Sequence, residues 1–256
     1  MTDLTQHGPA LERLILTLAD SKRLLGIRYS DWLLGAPSIE TGIAASSMCQ
    51  DEWGHARLLY AMLKQLDRDP REVEHERPGE AYTSVDVLDS PFEDWAEFVT
   101  AVVLVDGAIT TALEGFGEGP FELAVTRIPK MLAEEEFHTD FGNAWYRRLA
   151  EGSEESRLAL NAATEAMLPR TLAWLTPRDE MHSGLAGAGV THDSGVLRAR
   201  YDSRVGPVLA SLDVDVAAAK AERNGWDTAR ARGPGQPDEE SLERARGDRN
   251  RALFVE

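Results

Sequence analysis

The stretch Met48-Cys49-Gln50-Asp51-Glu52-Trp53-Gly54-His55-Ala56-Arg57-Leu58-Leu59 decides how this chain is read. Ala45, Met48, Cys49, Ala56, Leu59, Met62 and Leu63 recur at helical spacing and form one apolar stripe. Glu52 and His55 stand inside that stripe instead of on the opposite face. Buried charge is costly unless it is paired or bound to a metal ion. At i, i+3 the two side chains share a helix face and can grip one ion. One such pair is a weak signal. Glu72-Val73-Glu74-His75 has the same spacing, yet it lies between Pro70 and Pro78 among charges and reads as solvated.

The signal repeats on other helices. Glu135-Glu136-Phe137-His138 is a second Glu-x-x-His on a stripe with Ile128, Met131 and Trp145. A first helix over residues 9–34 carries Lys22 amid Leu11, Ile15, Leu18, Leu25 and Tyr29. Another, over residues 90–116 with Pro91 at its first helical position, carries Asp106 amid Trp95, Phe98, Val102, Ile109 and Leu113. Lys22 lies 30 residues before Glu52, and Asp106 lies 29 before Glu135. Each interval is about one helix and a turn, so antiparallel neighbours bring these ionisable side chains level. Four helices with polar residues at one height imply a common site.

The fold expected is all-α, an antiparallel helical bundle with additional C-terminal helices. Ser38 caps the second helix, which runs to about residue 66. Residues 67–89 read as a loop, and further helices cover about 121–149, with a kink at Pro129, and 154–175. The bundle and its fifth helix fill residues 1–176. Residues 177–223 form a Gly-rich connection and a C-terminal helix packed on the bundle, over about 196–212. Residues 224–256, dense in Arg, Asp, Glu, Gly and Pro, read as a flexible or partner-docking tail.

Composition narrows the function classes. The chain has 256 residues, with 44 Asp+Glu against 27 Lys+Arg, a formal net charge of −17. Phosphate neutralisation needs a basic face, so nucleic acid is excluded as a main partner, and an anionic membrane is disfavoured. No unbroken apolar run reaches the roughly 18 residues of a membrane span. A single cysteine, Cys49, leaves no intrachain disulfide and fits a reducing cytoplasm. His7, His182 and His192 fall in termini or loops and read as ordinary surface residues.

Trp32, Ala36-Pro37-Ser38, Gln50-Asp51-Glu52-Trp53-Gly54-His55, Asp106 and Glu135 with His138 together resemble the phenylacetyl-CoA monooxygenase (epoxidase) family of ferritin-like di-iron carboxylate proteins. The resemblance covers roughly residues 10–212. It is mixed in character. Ala19-Asp20-Ser21, Leu25-Gly26, Arg28-Tyr29-Ser30-Asp31-Trp32, Ala56-Arg57-Leu58-Leu59 and the segment near residues 198–212 look like the family's metal-free scaffold subunit. The Glu-x-x-His motifs look like its catalytic subunit. The resemblance implies iron, as one or two ions with manganese as an alternative, held by Glu52, His55, Asp106, Glu135 and His138. It implies insertion of one oxygen atom into an aromatic acyl-CoA or similar small molecule, a reductase as electron donor, and a homo- or hetero-oligomer of related subunits. Thr110, one turn after Asp106, matches a Thr that assists O2 and proton handling in related enzymes. Its alternative role is a back-bond to the Asp106 carbonyl.

Lys22 departs from the family pattern, because the catalytic subunit has a Glu there. An ammonium has three donors and no lone pair, so it cannot ligate iron. Three carboxylates and one ammonium balance one divalent ion, where four carboxylates balance two. Lys22 could stand in for a metal ion, lose its proton and become a ligand, or turn outward. Two functions follow: an iron-dependent oxygenase with a one-metal or asymmetric site, in which Lys22 and Thr110 join the catalytic machinery, and a non-catalytic partner subunit with a buried Lys–carboxylate network.

Overall fold

Side-chain caps set the frame of the bundle. In the computed structural model, which describes residues 7–247 and Leu253, the Ser38 hydroxyl accepts from the Thr41 N–H at 3.2 Å and starts α2, Ile39–Tyr60. A 3-10 turn, Ala61–Leu66, continues it. α2 runs back along α1, Gly8–Asp31. Gly26 lets the two helices close: a Cβ there would lie 2.5 Å from Trp53 Cδ1.

The next long rod starts later than Ser90-Pro91 predicts. Asp94 accepts from the Glu97 N–H at 2.9 Å and opens α4, Trp95–Ala101. A carboxylate at a helix N-terminus satisfies free N–H groups and the helix dipole together, which the Ser90 hydroxyl matches only in part. The rod passes through a π-helical segment, Val102–Asp106, into α5, Gly107–Gly117. By average apolarity and length, Trp95–Gly117 could cross a membrane, although no unbroken apolar run suggests it. In the fold 89% of its most apolar stretch is buried, and it is a core rod of the bundle. The last long helices are α6, Glu122–Ala150, which takes Pro129 within its length, and α7, Glu154–Leu175, which packs on α4.

Residues 67–89, read as a loop, hold the short helix α3, Pro70–His75, and two 3-10 turns. The segment is pinned by Asp20. That buried carboxylate accepts from Tyr60 Oη at 2.6 Å, Thr83 N at 2.9 Å and Thr83 Oγ1 at 3.1 Å, and pairs with Arg77. Beyond α7 come α8, Glu180–Gly187, and α9, Ser194–Leu209, which lies against α5. His182, read as a surface residue, is buried on α8.

The segment expected as a flexible or partner-docking tail packs on the bundle through a short helix and Arg232, while Leu253 is exposed. α10, Glu239–Arg246, sits on α1 with Leu242 and Ala245 buried. Arg232 is fully buried, donates to Ser84 Oγ at 3.1 Å and pairs with Asp89. Arg28 Nη2 reaches Asp238 at 2.7 Å. Arg232, Asp238, Arg244 and Arg246 find partners on the rest of the chain, while Asp227 and Arg230 pair with each other. The rest of the expected tail, residues 248–252 and 254–256, lies outside the described residues.

Among the described residues there is no strand, and the architecture is an all-α ferritin-like bundle. α1, α2, α6 and the α4–α5 rod surround one centre.

Candidate functional site

α1, α2, the π-helical segment and α6 each send polar side chains into that centre. A π-helical turn adds one residue to the local ladder and shifts the side chains that follow it, and such turns cluster at functional sites. Here the turn ends on Asp106. Lys22, Glu52, His55, Asp106, Thr110, Glu135 and His138 are all buried.

Lys22 points inward. Its Nζ donates to Glu135 Oε1 at 2.6 Å, Asp106 Oδ1 at 2.7 Å and Glu52 Oε1 at 2.9 Å. All three ammonium protons are used. His138 Nδ1 is 3.0 Å from Asp106 Oδ2 and 3.2 Å from Glu52 Oε1. His55 Nδ1 lies 3.1 Å from Glu135 Oε1. Thr110 Oγ1 donates to Glu135 Oε2 at 3.0 Å, so its hydroxyl does not serve the Asp106 carbonyl.

Three contacts were missed in the sequence. Tyr29, read as core, donates its phenol to Asp106 Oδ2 at 2.9 Å. His55 Nε2 meets Glu134 Oε2 at 2.8 Å, and His138 Nε2 lies 3.5 Å from Asp51 Oδ2. Asp51 and Glu134 each stand four residues before the histidine of their own helix, yet each serves the histidine of the other. An acid beside each Glu-x-x-His was the available signal.

The electrostatics make the centre nearly self-neutral. Burial by itself lowers the Lys22 pKa, but Asp106, Glu135 and Glu52 outweigh it and hold the ammonium well above its ordinary value. Burial also opposes a charged His138, yet hydrogen bonding to Asp106, Asp51 and Glu52 raises its pKa to about 12. Against burial, Lys22 and His55 hold Glu135 well below the usual carboxylate range. Burial and the Asp106 charge push Glu52 up to about 7. Two cations thus face three carboxylates, and one of these shares a proton near neutral pH.

The donors are of metal-ligand type, and whether they suit a metal pair turns on Lys22. One donor atom from each of Glu52, Asp106, Glu135 and His138 lies within 4.8 Å of the others, a cluster of metal-ligand type. Glu52 Oε2 is buried without a hydrogen-bond partner. Yet the same three carboxylates converge on Lys22 Nζ, and a cation beside an ammonium in a dry site is strongly repelled. With Lys22 in this place the residues do not fit two iron ions.

Two Glu-x-x-His pairs facing residues from two further helices define the class as a ferritin-like protein with a carboxylate–histidine centre. The model of the family described as "Phenylacetic acid catabolic protein" matches residues 2–232, and the chain belongs to that family. It is similar to two components of the 1,2-phenylacetyl-CoA epoxidase of Escherichia coli (strain K12), its C and A subunits. The identity to the C subunit is 23% over 212 residues, 82% of this chain and 85% of that protein. The identity to the A subunit is 27% over 153 residues, 59% of this chain and 48% of that protein. The match thus spans about half the length of the A subunit.

Proposed function

We propose that this chain is the non-catalytic partner subunit of a multicomponent monooxygenase of the phenylacetyl-CoA epoxidase type. One observation carries the reading: Lys22 Nζ engages Glu52, Asp106 and Glu135 at 2.6–2.9 Å, where metal ions would need those carboxylates free. In this role the centre is a buried ionic brace that fixes four helices in register. Oxygen insertion into an aromatic acyl-CoA, and receipt of electrons from a reductase, belong to the metal-bearing subunit of the same cytoplasmic assembly. The sequence by itself favours the oxygenase, because it retains five ligand-type residues that a purely structural site has no need for.

The oxygenase reading keeps one observation in its favour, the convergence of four ligand-type side chains within 4.8 Å. Quantifying iron and manganese per chain in protein purified without chelator separates the two. The expected result for the wild type is below about a tenth of an equivalent, far under a specific site. Lys22→Glu supplies a fourth carboxylate in place of the ammonium, and occupancy should rise. About one equivalent or more in the wild type would overturn the partner-subunit reading.

A further inference from the structure

The chain is acidic as a whole, at −17, yet one groove on it is lined by cations. It lies where the end of α7, the start of α9 and the segment 216–221 meet. The hollow is open, about 500 Å³ in volume, and its walls include Thr176, Arg178, Ser194, Arg198, Lys220 and Ala221. Arg178 and Lys220 are exposed, and neither has a hydrogen-bond or ion-pair partner among the described residues. Arg198 holds one rim in place. Its Nη2 donates to Val216 O at 2.6 Å and Ala219 O at 3.1 Å, and its Nε donates to Asp202 Oδ1 at 2.7 Å. A fourth cation, Arg223, grips Thr176. Its Nη2 donates to the Thr176 carbonyl at 2.5 Å and to the Thr176 hydroxyl at 2.8 Å.

The acids on the same segments are committed elsewhere. Asp179 pairs with Arg13, and Asp193 Oδ1 accepts from the N–H groups of Gly195 and Val196. Glu222 accepts from Asn224 Nδ2 at 2.9 Å. Only Asp202 is paired to one of the four cations. The crowding is felt at Arg223, which burial and the Arg178 charge pull below its ordinary value. Like charges with no counter-ion between them raise the energy of the unliganded chain, and a multiply charged anion removes that cost. Arg198 and Arg223 are already fixed by backbone carbonyls, so half of the cluster loses little freedom when an anion arrives.

The arrangement selects the anion. Guanidinium forks match the oxygens of carboxylate and phosphate. These cations come from separate segments around one hollow and do not lie along a line. A compact group with several charges touches them together, whereas an acidic peptide spreads its charge along an extended chain. Ser194 and Gly195, the first residues of the 16-residue α9, bring the positive end of that helix to the same hollow. We propose that this groove binds a small phosphate-bearing anion of the diphosphate class, which ties α7, α9 and the segment 216–223 together. It is separate from the Lys22 centre and stands whether or not the partner-subunit reading holds.

The test is isothermal titration calorimetry on the full chain at constant ionic strength, with inorganic diphosphate and ADP as titrants and sulfate as the reference anion. Diphosphate should bind with a Kd below about 0.1 mM. Arg178→Ala/Lys220→Ala removes two side chains that have no partner in the fold. It should keep the wild-type unfolding midpoint and bind at least about tenfold more weakly. Lys64→Ala/Arg71→Ala makes the same change in net charge at exposed positions on other elements, and should bind as the wild type does. ADP binding that responds to the variants in the same way assigns the diphosphate of a nucleotide to the groove. Binding of inorganic diphosphate alone assigns the free anion, and either result supports the proposal. Sulfate that displaces diphosphate at equal concentration would mean an adventitious ion only and overturn it. So would a Kd above that limit, or equal weakening in the two double variants, which marks net charge and not a site.

Discussion

Lys22 and Asp20 stand two residues apart on α1, both fully buried and both charged, and they face opposite sides of the helix. Asp20 is one anion among donors: Tyr60, the Thr83 amide and hydroxyl, and Arg77. Lys22 is one cation among acceptors, Glu52, Asp106 and Glu135. The Asp20 knot ties a long connection to the bundle, and both carboxylate oxygens are used. The Lys22 centre has a richer set of ionisable groups than one ammonium can serve, and Glu52 Oε2 is left over. A saturated knot is what packing alone requires. An oversupplied one carries donors of metal-ligand type around a side-chain cation.

The comparison can be broken most directly at Lys22. Lys22→Met leaves the buried carboxylates without their shared cation, and removing one partner of a buried ion pair costs about 3–5 kcal/mol. Denaturant unfolding should show the loss as a lower midpoint. A cost under about 1 kcal/mol, as for an exposed pair, would mean that the ammonium does not brace the bundle. Asp20→Asn keeps the shape of the knot but removes the charge facing Arg77. The expected cost is smaller, about 2–3 kcal/mol, because an amide oxygen still accepts from some of the same donors. If Asp20→Asn proved the more damaging of the two, the brace would lie in the connection and not in the centre.

A pH series sharpens the contrast at lower amplitude. The folded-state pKa of Glu52 is raised to about 7 and that of His138 to about 12. A raised value means that the folded chain binds the proton more tightly than the unfolded chain. The resulting stability is complete below the unfolded value and is lost as pH rises. For Glu52 that window runs from 4.5 to about 7, and for His138 from 6.5 upward. Lys22 is raised from 10.5 and contributes its loss only above that value. Tyr60 and Arg77 of the Asp20 knot, both raised, titrate above 10. The unfolding free energy should therefore fall between roughly pH 7 and 9, by on the order of 1 kcal/mol per unit. His138→Gln should flatten that slope. A rise over this range, or an unchanged slope in the variant, would place the proton elsewhere.

Much of the centre was legible because helical periodicity is a local property. Glu52, His55, Asp106, Glu135 and His138 interrupt apolar stripes, and near-equal intervals between helices set them level. Glu72 and His75 stand on α3, outside the centre, where no apolar stripe runs through them. The π-helical turn at Val102–Asp106 was not legible, because Val-Val-Leu-Val-Asp contains no residue that favours it over an α-helical turn. The crossed pairing of Asp51 with His138 and Glu134 with His55 depends on how two helices face each other. The packing within 224–247 was not legible, because a run of alternating charge looks the same whether its partners are water or, as for Arg232, buried side chains.

The sequence by itself determined the helices, the height at which ionisable residues meet, and the family to which the chain belongs. Each follows from spacing along one strand of chain. Tertiary structure alone decided that Lys22 turns inward, since snorkelling and burial are equally open to a lysine on an isolated helix. Only when three carboxylates from α2, the π-helical turn and α6 converge does their joint field exceed the cost of stripping water from the ammonium. That balance is a property of four packed helices, and under the proposed function it makes a brace of residues of metal-ligand type.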